Sequence, residues 1–296
     1  MSRPVLLPGD AVGILLASSP AREPFITDGE TELRRLGWEP VRPSLTPATT
    51  SFFAATPEDL LDTLAGFWRD PRIRAVWAGR GGYGANRLLG ELERLPGKNP
   101  VPFIGSSDAS YLLWALQSRG GSPVLYGPMV YSTLAERRYD EASLRLCLEG
   151  RWHEIALPGR VILPGRVVAP LTGGCLTNFV SLLGTPFLPP TAGSVLLLED
   201  VGERPYRLHR LLWQVAASGL CDRLSGLVLG TFPRCFASGE EREEFWTEVR
   251  SLFSPFGFPV IGEVPLGHAE RTATIPLGMT IRLDGDDPQG MLLRGT

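Results

Sequence analysis

Four apolar runs in the first half of the chain, AVGILLA (11–17), RAVWAG (74–79), VPFIG (101–105) and SPVLYGP (122–128), are separated by stretches with helical periodicity. Short apolar runs alternating with amphipathic helices imply βαβ units on a parallel sheet, which narrows the fold class to α/β. Helical signals fall at 26–36 and again at Thr56, Pro57 and Asp59. There a threonine N-cap and a proline at the first helical position precede Leu60, Leu61, Leu64, Phe67 and Trp68, which share one face. Further helices are expected from Asp108 to about 117 and over 132–149.

The pattern changes after residue 150. Gly150, Pro158, Gly159, Pro164 and Gly165 punctuate a connection, although its short VIL and VVA segments could be strands. The expected organisation is a domain over 1–155, a linker over 156–170 and a second domain over 171–296. SVLLLED reads as a strand ending in acids, RPYRLHRLLWQVAASGL as a helix and LSGLVLGTF as a strand. A helix over 240–253, the strand PVIGEV, and short strands around TATIP, MTIRL and MLLRG follow, so the second domain is α/β with a β-rich tail. No internal repeat is visible.

Composition serves mainly to exclude. A chain of 296 residues with 43% hydrophobic and 21% charged content reads as an ordinary soluble globular protein. Its net charge of -3, with basic residues dispersed, gives no footprint for nucleic acid. The VGILL run is too short for a membrane span and is preceded by Pro8, Gly9 and Asp10. Cys147, Cys175, Cys221 and Cys235 form no CxxC, and the three histidines form neither HxH nor HExxH. Neither a disulfide framework nor a metal site is supported, and no cofactor is expected. Reduced cysteines and the lack of a signal sequence point to the cytoplasm.

Two loops carry the candidate chemistry. GRGGYG, directly after the RAVWAG strand, matches neither the dinucleotide fingerprint nor the P-loop. Its glycines let backbone N–H groups approach an oxyanion or a carboxylate. IGSSDAS resembles a nucleophile elbow, in which a tight strand-to-helix turn lifts one hydroxyl, with Ala109 at the position of the second glycine. Ser106, Ser107 and Asp108 could instead cap the following helix, the commoner use of such residues. A serine nucleophile needs a base. His268, in a loop after PVIGEV, suits a cleft better than His209, on a helix among arginines, or His153, in the linker. A carboxylate must orient that imidazole, and Glu199 ends a strand, where α/β folds present functional groups. Asp200 and Glu203 are its rivals.

The series RGGYGANRLL, IGSSD, YGPM, GGCLTN, LLLEDVGERPYRLHRLL, PLGH and IPLG resembles, in that order, the motifs of the LD-carboxypeptidase family. This is the family of muramoyltetrapeptide carboxypeptidases and microcin-immunity peptidases. The resemblance runs from PGD at 8–10 to IPLG at 275–278 and lies in the ordered set, since no single motif is specific. It implies a Ser-Glu-His triad of Ser107, Glu199 and His268, and an oxyanion hole from the N–H groups of Asp108 and Gly82. Arg80 or an adjacent N–H, such as that of Gly81, is the expected carboxylate contact. The implied fold is a class I glutamine amidotransferase-like N-terminal domain joined to a C-terminal domain with β-barrel character.

The implied partner is a small peptide, a murein tetrapeptide losing its terminal D-alanine, and the implied assembly is a homodimer. Ser106 holds a position usually aromatic, Cys175 stands where GGN is usual, and TPEDLLDTL lacks a common arginine. Cleavage of peptidyl-nucleotides is the alternative activity and would call for a stacking aromatic such as Trp213 or Trp246. A non-catalytic peptide-binding module, with Ser107 a cap and His268 an interior residue, is the alternative of another class.

Overall fold

A computed structural model describes residues 5–42 and 52–287, which divide into two compact units. The first runs to Arg151 and also takes in Ala273–Leu277; the second is Trp152–Thr272 with the described residues from Gly278 onward.

In the first unit the elements are β1 (Ala11–Leu15), α1 (Phe25–Leu36), β2 (Glu39–Val41), α2 (Pro57–Arg69), β3 (Ile73–Ala78), β4 (Phe103–Gly105), α3 (Ser110–Arg119), β5 (Val124–Tyr126) and α4 (Glu141–Leu148). Strands β2, β1, β3, β4 and β5 lie side by side in that order and all run parallel. Successive crossovers therefore carry the loops after β1, β3 and β4 to one edge of the sheet, the carboxyl edge where α/β folds place their ligands. α2 begins as its sequence dictates: the Thr56 hydroxyl accepts from the Asp59 N–H at 3.1 Å and Pro57 opens the helix. Leu60, Leu61, Leu64 and Phe67 are buried, while Trp68 is only half-buried. The helix expected over 132–149 is broken into a single π-helical turn, Val130–Leu134, and α4. Arg137 between them has φ 53, a left-handed conformation that no helix continues. Asp140 then caps α4 through the Ser143 N–H at 2.7 Å.

The second unit contains β6 (Arg160–Leu163), β7 (Arg166–Cys175), α5 (Leu176–Ser181), β8 (Val195–Glu199), α6 (Pro205–Ala217), β9 (Gly226–Leu229), α7 (Gly239–Phe253) and β10 (Val260–Gly262). Residues 156–170, expected as a linker, thus carry β6 and the start of β7. Ile275–Leu277, β11, adds to the first unit's sheet antiparallel to β5. Thr280–Asp284, β12, pairs antiparallel with β7, and the sheet order is β12-β7-β8-β9-β10-β6. Strands β7 to β10 are parallel, with antiparallel partners at both edges, so each unit is α/β with a mixed sheet. β8 is buried along its whole length, so its terminal carboxylate stands at the end of a rigid strand. The strand expected around MLLRG lies outside the described residues.

Candidate active site

β4 ends at Gly105, and the chain turns through Ser106 into a 3-10 turn, Ser107–Ala109, before α3. Ser107 has φ 54. A serine in the left-handed region costs energy, and such strain persists where surrounding structure enforces it, commonly at reactive sites. A side chain at Gly105 would put its Cβ 2.9 Å from the Cβ of Ala78 and 3.0 Å from that of Ala109. The turn is therefore tight enough to demand a glycine before the serine, and it tolerates Ala109 in place of a second one. Ser106 makes no capping bond with its side chain. Asp108 does not cap α3 either: its buried carboxylate accepts from the Ser18 hydroxyl at 2.6 Å and the Ala85 N–H at 2.8 Å.

Asp108 thereby ties the turn to the loops after β1 and β3. Burial pushes its carboxyl up, and the bonds from Ser18, Ala85 and Gly84 only partly offset this. In the loop after β3, the atoms nearest a Cβ built on Gly81 would be Ser107 Oγ at 2.8 Å and Ser107 Cβ at 3.0 Å, so backbone and hydroxyl are in direct apposition. Gly82 is exposed with φ 114, and the next N–H, of Tyr83, donates to the Ser19 hydroxyl at 3.2 Å. Arg80 donates from Nη1 to the Pro20 carbonyl at 2.8 Å. The Tyr83 ring packs at 5.7 Å on Phe53, which the Arg87 guanidinium covers at 3.9 Å. Ser107, Asp108, Gly81, Gly82 and Arg80 thus share one end of the first unit's sheet.

In the second unit Glu199 ends β8 with its side chain fully buried. Its Oε2 accepts from His268 Nδ1 at 2.7 Å and from the His268 N–H at 3.1 Å. Nδ1 carries a proton when it donates to a carboxylate, so Nε2 is the nitrogen left to accept one. Gly267 holds φ 78, and a Cβ there would sit 2.1 Å from both Cδ and Oε2 of Glu199. Only glycine can lead into His268 while that carboxylate lies beneath. Burial disfavours a charged His268 ring, but the charge and hydrogen bond of Glu199, with the charge of Asp200, outweigh it. The ring therefore titrates above its ordinary value of 6.5.

The rival acids are otherwise engaged. Asp200 accepts from the Thr177 N–H at 2.9 Å, the Thr177 hydroxyl at 2.6 Å and the Val201 N–H at 2.8 Å, pinning the turn after β8 to α5. Glu203 pairs with Arg207 at 2.9 Å, one turn along α6. His209 is half-buried on α6, and His153 is exposed, 3.7 Å from Glu154. Cys175 lies opposite Glu199 in the β7–β8 register, and burial beside Asp200 and Glu199 keeps its thiol protonated. All four cysteines are free and buried, and among the described residues no group of three or more His, Cys, Asp or Glu could hold a metal. Trp246 is packed against Phe232 and Phe245 and donates to Glu263, whereas Trp213 is exposed. Sequence reasoning missed Ser18, Ser19 and Thr177. Their signal was positional: ASS follows β1, the neighbour of β3, and TN comes two residues after Cys175, the end of β7.

An acid-anchored strand-to-helix serine turn and a carboxylate–imidazole dyad are equipment for acyl transfer. Residues 12–127 match the LD-carboxypeptidase N-terminal domain and residues 168–283 the LD-carboxypeptidase C-terminal domain. The chain belongs to the LD-carboxypeptidase family, and its class is peptide hydrolase. It is 36% identical over 252 residues to the murein tetrapeptide carboxypeptidase of Pseudomonas aeruginosa, covering 79% of this chain and 80% of that one. The crystal structure of a muramoyltetrapeptide carboxypeptidase from Oxalobacter formigenes superposes with a TM-score of 0.82 at 25% identity, covering 97% of this chain and 99% of that one. The structure of MccF in complex with glutamyl sulfamoyl guanosine superposes with a TM-score of 0.83 at 20% identity, covering 100% and 98%.

Proposed function

We propose that the chain is a serine LD-carboxypeptidase that releases the terminal D-alanine of cytoplasmic murein tetrapeptides, with Ser107 as nucleophile, His268 as base and Glu199 as the orienting carboxylate. The observation that carries this reading is the 2.7 Å bond between the buried Glu199 and His268 Nδ1, which leaves Nε2 basic. In the reaction Ser107 Oγ attacks the scissile carbonyl carbon while its proton passes to Nε2. Glu199 orients and stabilises the imidazolium. The N–H groups of Asp108 and Gly82 stabilise the oxyanion. The C–N bond then breaks, His268 returns the proton to the leaving amine, and water cleaves the ester by the same route in reverse. General-base and oxyanion terms each contribute about two to three orders of magnitude, so Ser107→Ala should nearly abolish turnover.

The murein assignment is supported by the 36% identity to the Pseudomonas enzyme. The test is mass spectrometry of tetrapeptides and peptidyl-nucleotides incubated with the protein, beside labelling by a serine-directed fluorophosphonate. D-alanine release, with label at Ser107 that is lost in His268→Ala, is the expected result. Cleavage of peptidyl-nucleotides alone would reassign the substrate. A Ser107→Ala protein that folds normally and cleaves tetrapeptide at the original rate would refute the triad.

A further inference from the structure

The loop between β9 and α7 runs against the Glu199–His268 dyad. A Cβ at Gly230 would lie 2.7 Å from Glu199 Cβ, and the Thr231 hydroxyl donates to the carbonyl of Leu266, two residues before His268, at 3.4 Å. The Pro233 carbonyl accepts from the Gly202 N–H at 3.0 Å, so the loop is also fastened to the turn after β8. The next residue, Arg234, is exposed and held at φ 60. An arginine in the left-handed region is strained, and the fastened Pro233 before it and the buried Cys235 after it make the conformation a fixed one.

Arg234 lines two clefts of the second unit. One, of about 830 Å³, also takes in Gly202 and His209; the other, of about 690 Å³, takes in Thr231 and the two residues after the histidine, Ala269 and Glu270. Among the described residues the Arg234 guanidinium has no hydrogen bond or salt bridge. Three of the acids lining these clefts are held by other donors, Glu203 by Arg207, Glu263 by Arg242 and Trp246, and Glu241 by the Ala237 N–H, while Glu244, Glu248 and Glu270 line them as well. Arg80, by contrast, already donates to the Pro20 carbonyl. Arg234 is close enough for its charge to oppose protonation of His268.

A carboxypeptidase must bind a free terminal carboxylate next to its catalytic groups, and a guanidinium suits that because its fork of donors matches the two oxygens. The geometry points to Arg234 as the residue that receives the C-terminal carboxylate of the substrate beside the Glu199–His268 dyad. The assignment rests on the carboxypeptidase reading and adds a specificity determinant from the second unit.

The test compares a tetrapeptide ending in D-alanine with its C-terminal amide. Wild-type protein is expected to favour the acid. Arg234→Gln should lower kcat/KM for the acid by about 10- to 100-fold, chiefly through KM, since a charged hydrogen-bonding partner is lost. Hydrolysis of the amide, compared well above the acid limb of His268, should fall far less than that of the acid, because the amide never engages the guanidinium in a charge pair. Arg234→Lys should recover part of the loss. An acid-to-amide ratio unchanged in Arg234→Gln overturns the assignment, as does a variant that loses only hydrolysis of a phosphate-bearing peptidyl-nucleotide. Calorimetry on Ser107→Ala protein, with and without Arg234→Gln, separates the two layers. Acid-selective, Arg234-dependent binding without turnover by the wild type sinks the hydrolytic reading and supports Arg234. Turnover with binding indifferent to Arg234 does the reverse, and neither turnover nor acid-selective binding sinks both.

Discussion

Replacing Gly267 by alanine puts a methyl carbon where the Glu199 carboxylate already sits. Its three nearest neighbours would be Glu199 Cδ and Oε2, both at 2.1 Å, and Cγ at 2.3 Å, against 3.4–4 Å for ordinary contact. Glu199 is fully buried, and Gly230 approaches its Cβ from another side, so the carboxylate has no room to retreat. The bond to His268 Nδ1 must lengthen by about 1 Å or more, and displacement on that scale costs about a hundredfold in rate. The left-handed backbone at 267 adds about 1–2 kcal/mol of strain for a non-glycine residue. Gly267→Ala should therefore lower kcat/KM for tetrapeptide hydrolysis about a hundredfold or more, with a stability loss of about 2–4 kcal/mol in urea titration.

The same geometry supplies its own control. All three of those nearest atoms are removed by Glu199→Ala. In that background Gly267→Ala should cost only the backbone strain, about 1–2 kcal/mol, and should remove little further activity. A double-mutant cycle on stability and on kcat/KM reads this directly. If Gly267→Ala folds and retains activity within threefold of wild type, or if its effects simply add to those of Glu199→Ala, the proposed control of His268 through the buried carboxylate is wrong.

The ring of His268 titrates above 6.5, and the reaction needs it neutral, so the acid limb of kcat/KM should lie above that pH. Glu199 raises that value and Arg234 lowers it, so the limb should shift to lower pH in Glu199→Gln and to higher pH in Arg234→Gln; a shift of the opposite sign in either refutes the assignment. Gly81→Ala would place a methyl 2.8 Å from Ser107 Oγ, and should reduce fluorophosphonate labelling at least tenfold while urea titration shows an unchanged fold. Glu32, buried on α1, accepts from Arg35 at 2.9 Å and from the Tyr139 hydroxyl and pairs with Arg137 at 3.1 Å, so Glu32→Gln should destabilise by about 1–3 kcal/mol. Burial pushes its carboxyl up, but these donors hold it below 4.5, so its contribution is complete above that pH and fades as pH falls through the folded-state value. A wild-type-to-variant stability difference that stays constant from pH 7 to pH 3 contradicts this.

What the sequence made legible was whatever depends on local periodicity or a local cap. α2 reads directly from Thr56, Pro57 and its leucines, and β8 from an unbroken apolar run ended by Glu199. The expected helix over 132–149 failed because composition averages over a break that one left-handed residue, Arg137, imposes. β2 and α5 escaped notice because three and six residues are too few for a period to emerge. Ser18 bonds to Asp108 across 90 residues, a pairing that follows only from β3 lying between β1 and β4 in one parallel sheet.

Of the three acids around the end of β8, local chemistry left the choice open, and only the family resemblance singled out Glu199. Asp200 and Glu203 are as acidic and as near in sequence; what separates them from Glu199 is the destination of each carboxylate. Glu199 points to a loop 69 residues on, Asp200 to the start of α5, and Glu203, just ahead of α6, to Arg207 in that helix's first turn. The deciding residue is a glycine with no chemistry of its own: Gly267 leaves a vacancy the size of one carboxylate, and the strand that ends beneath it fills that space with Glu199. The glycine of PLGH is on this account as necessary to the proposed chemistry as the histidine beside it, because any side chain there would compete for the volume that fixes the imidazole's tautomer.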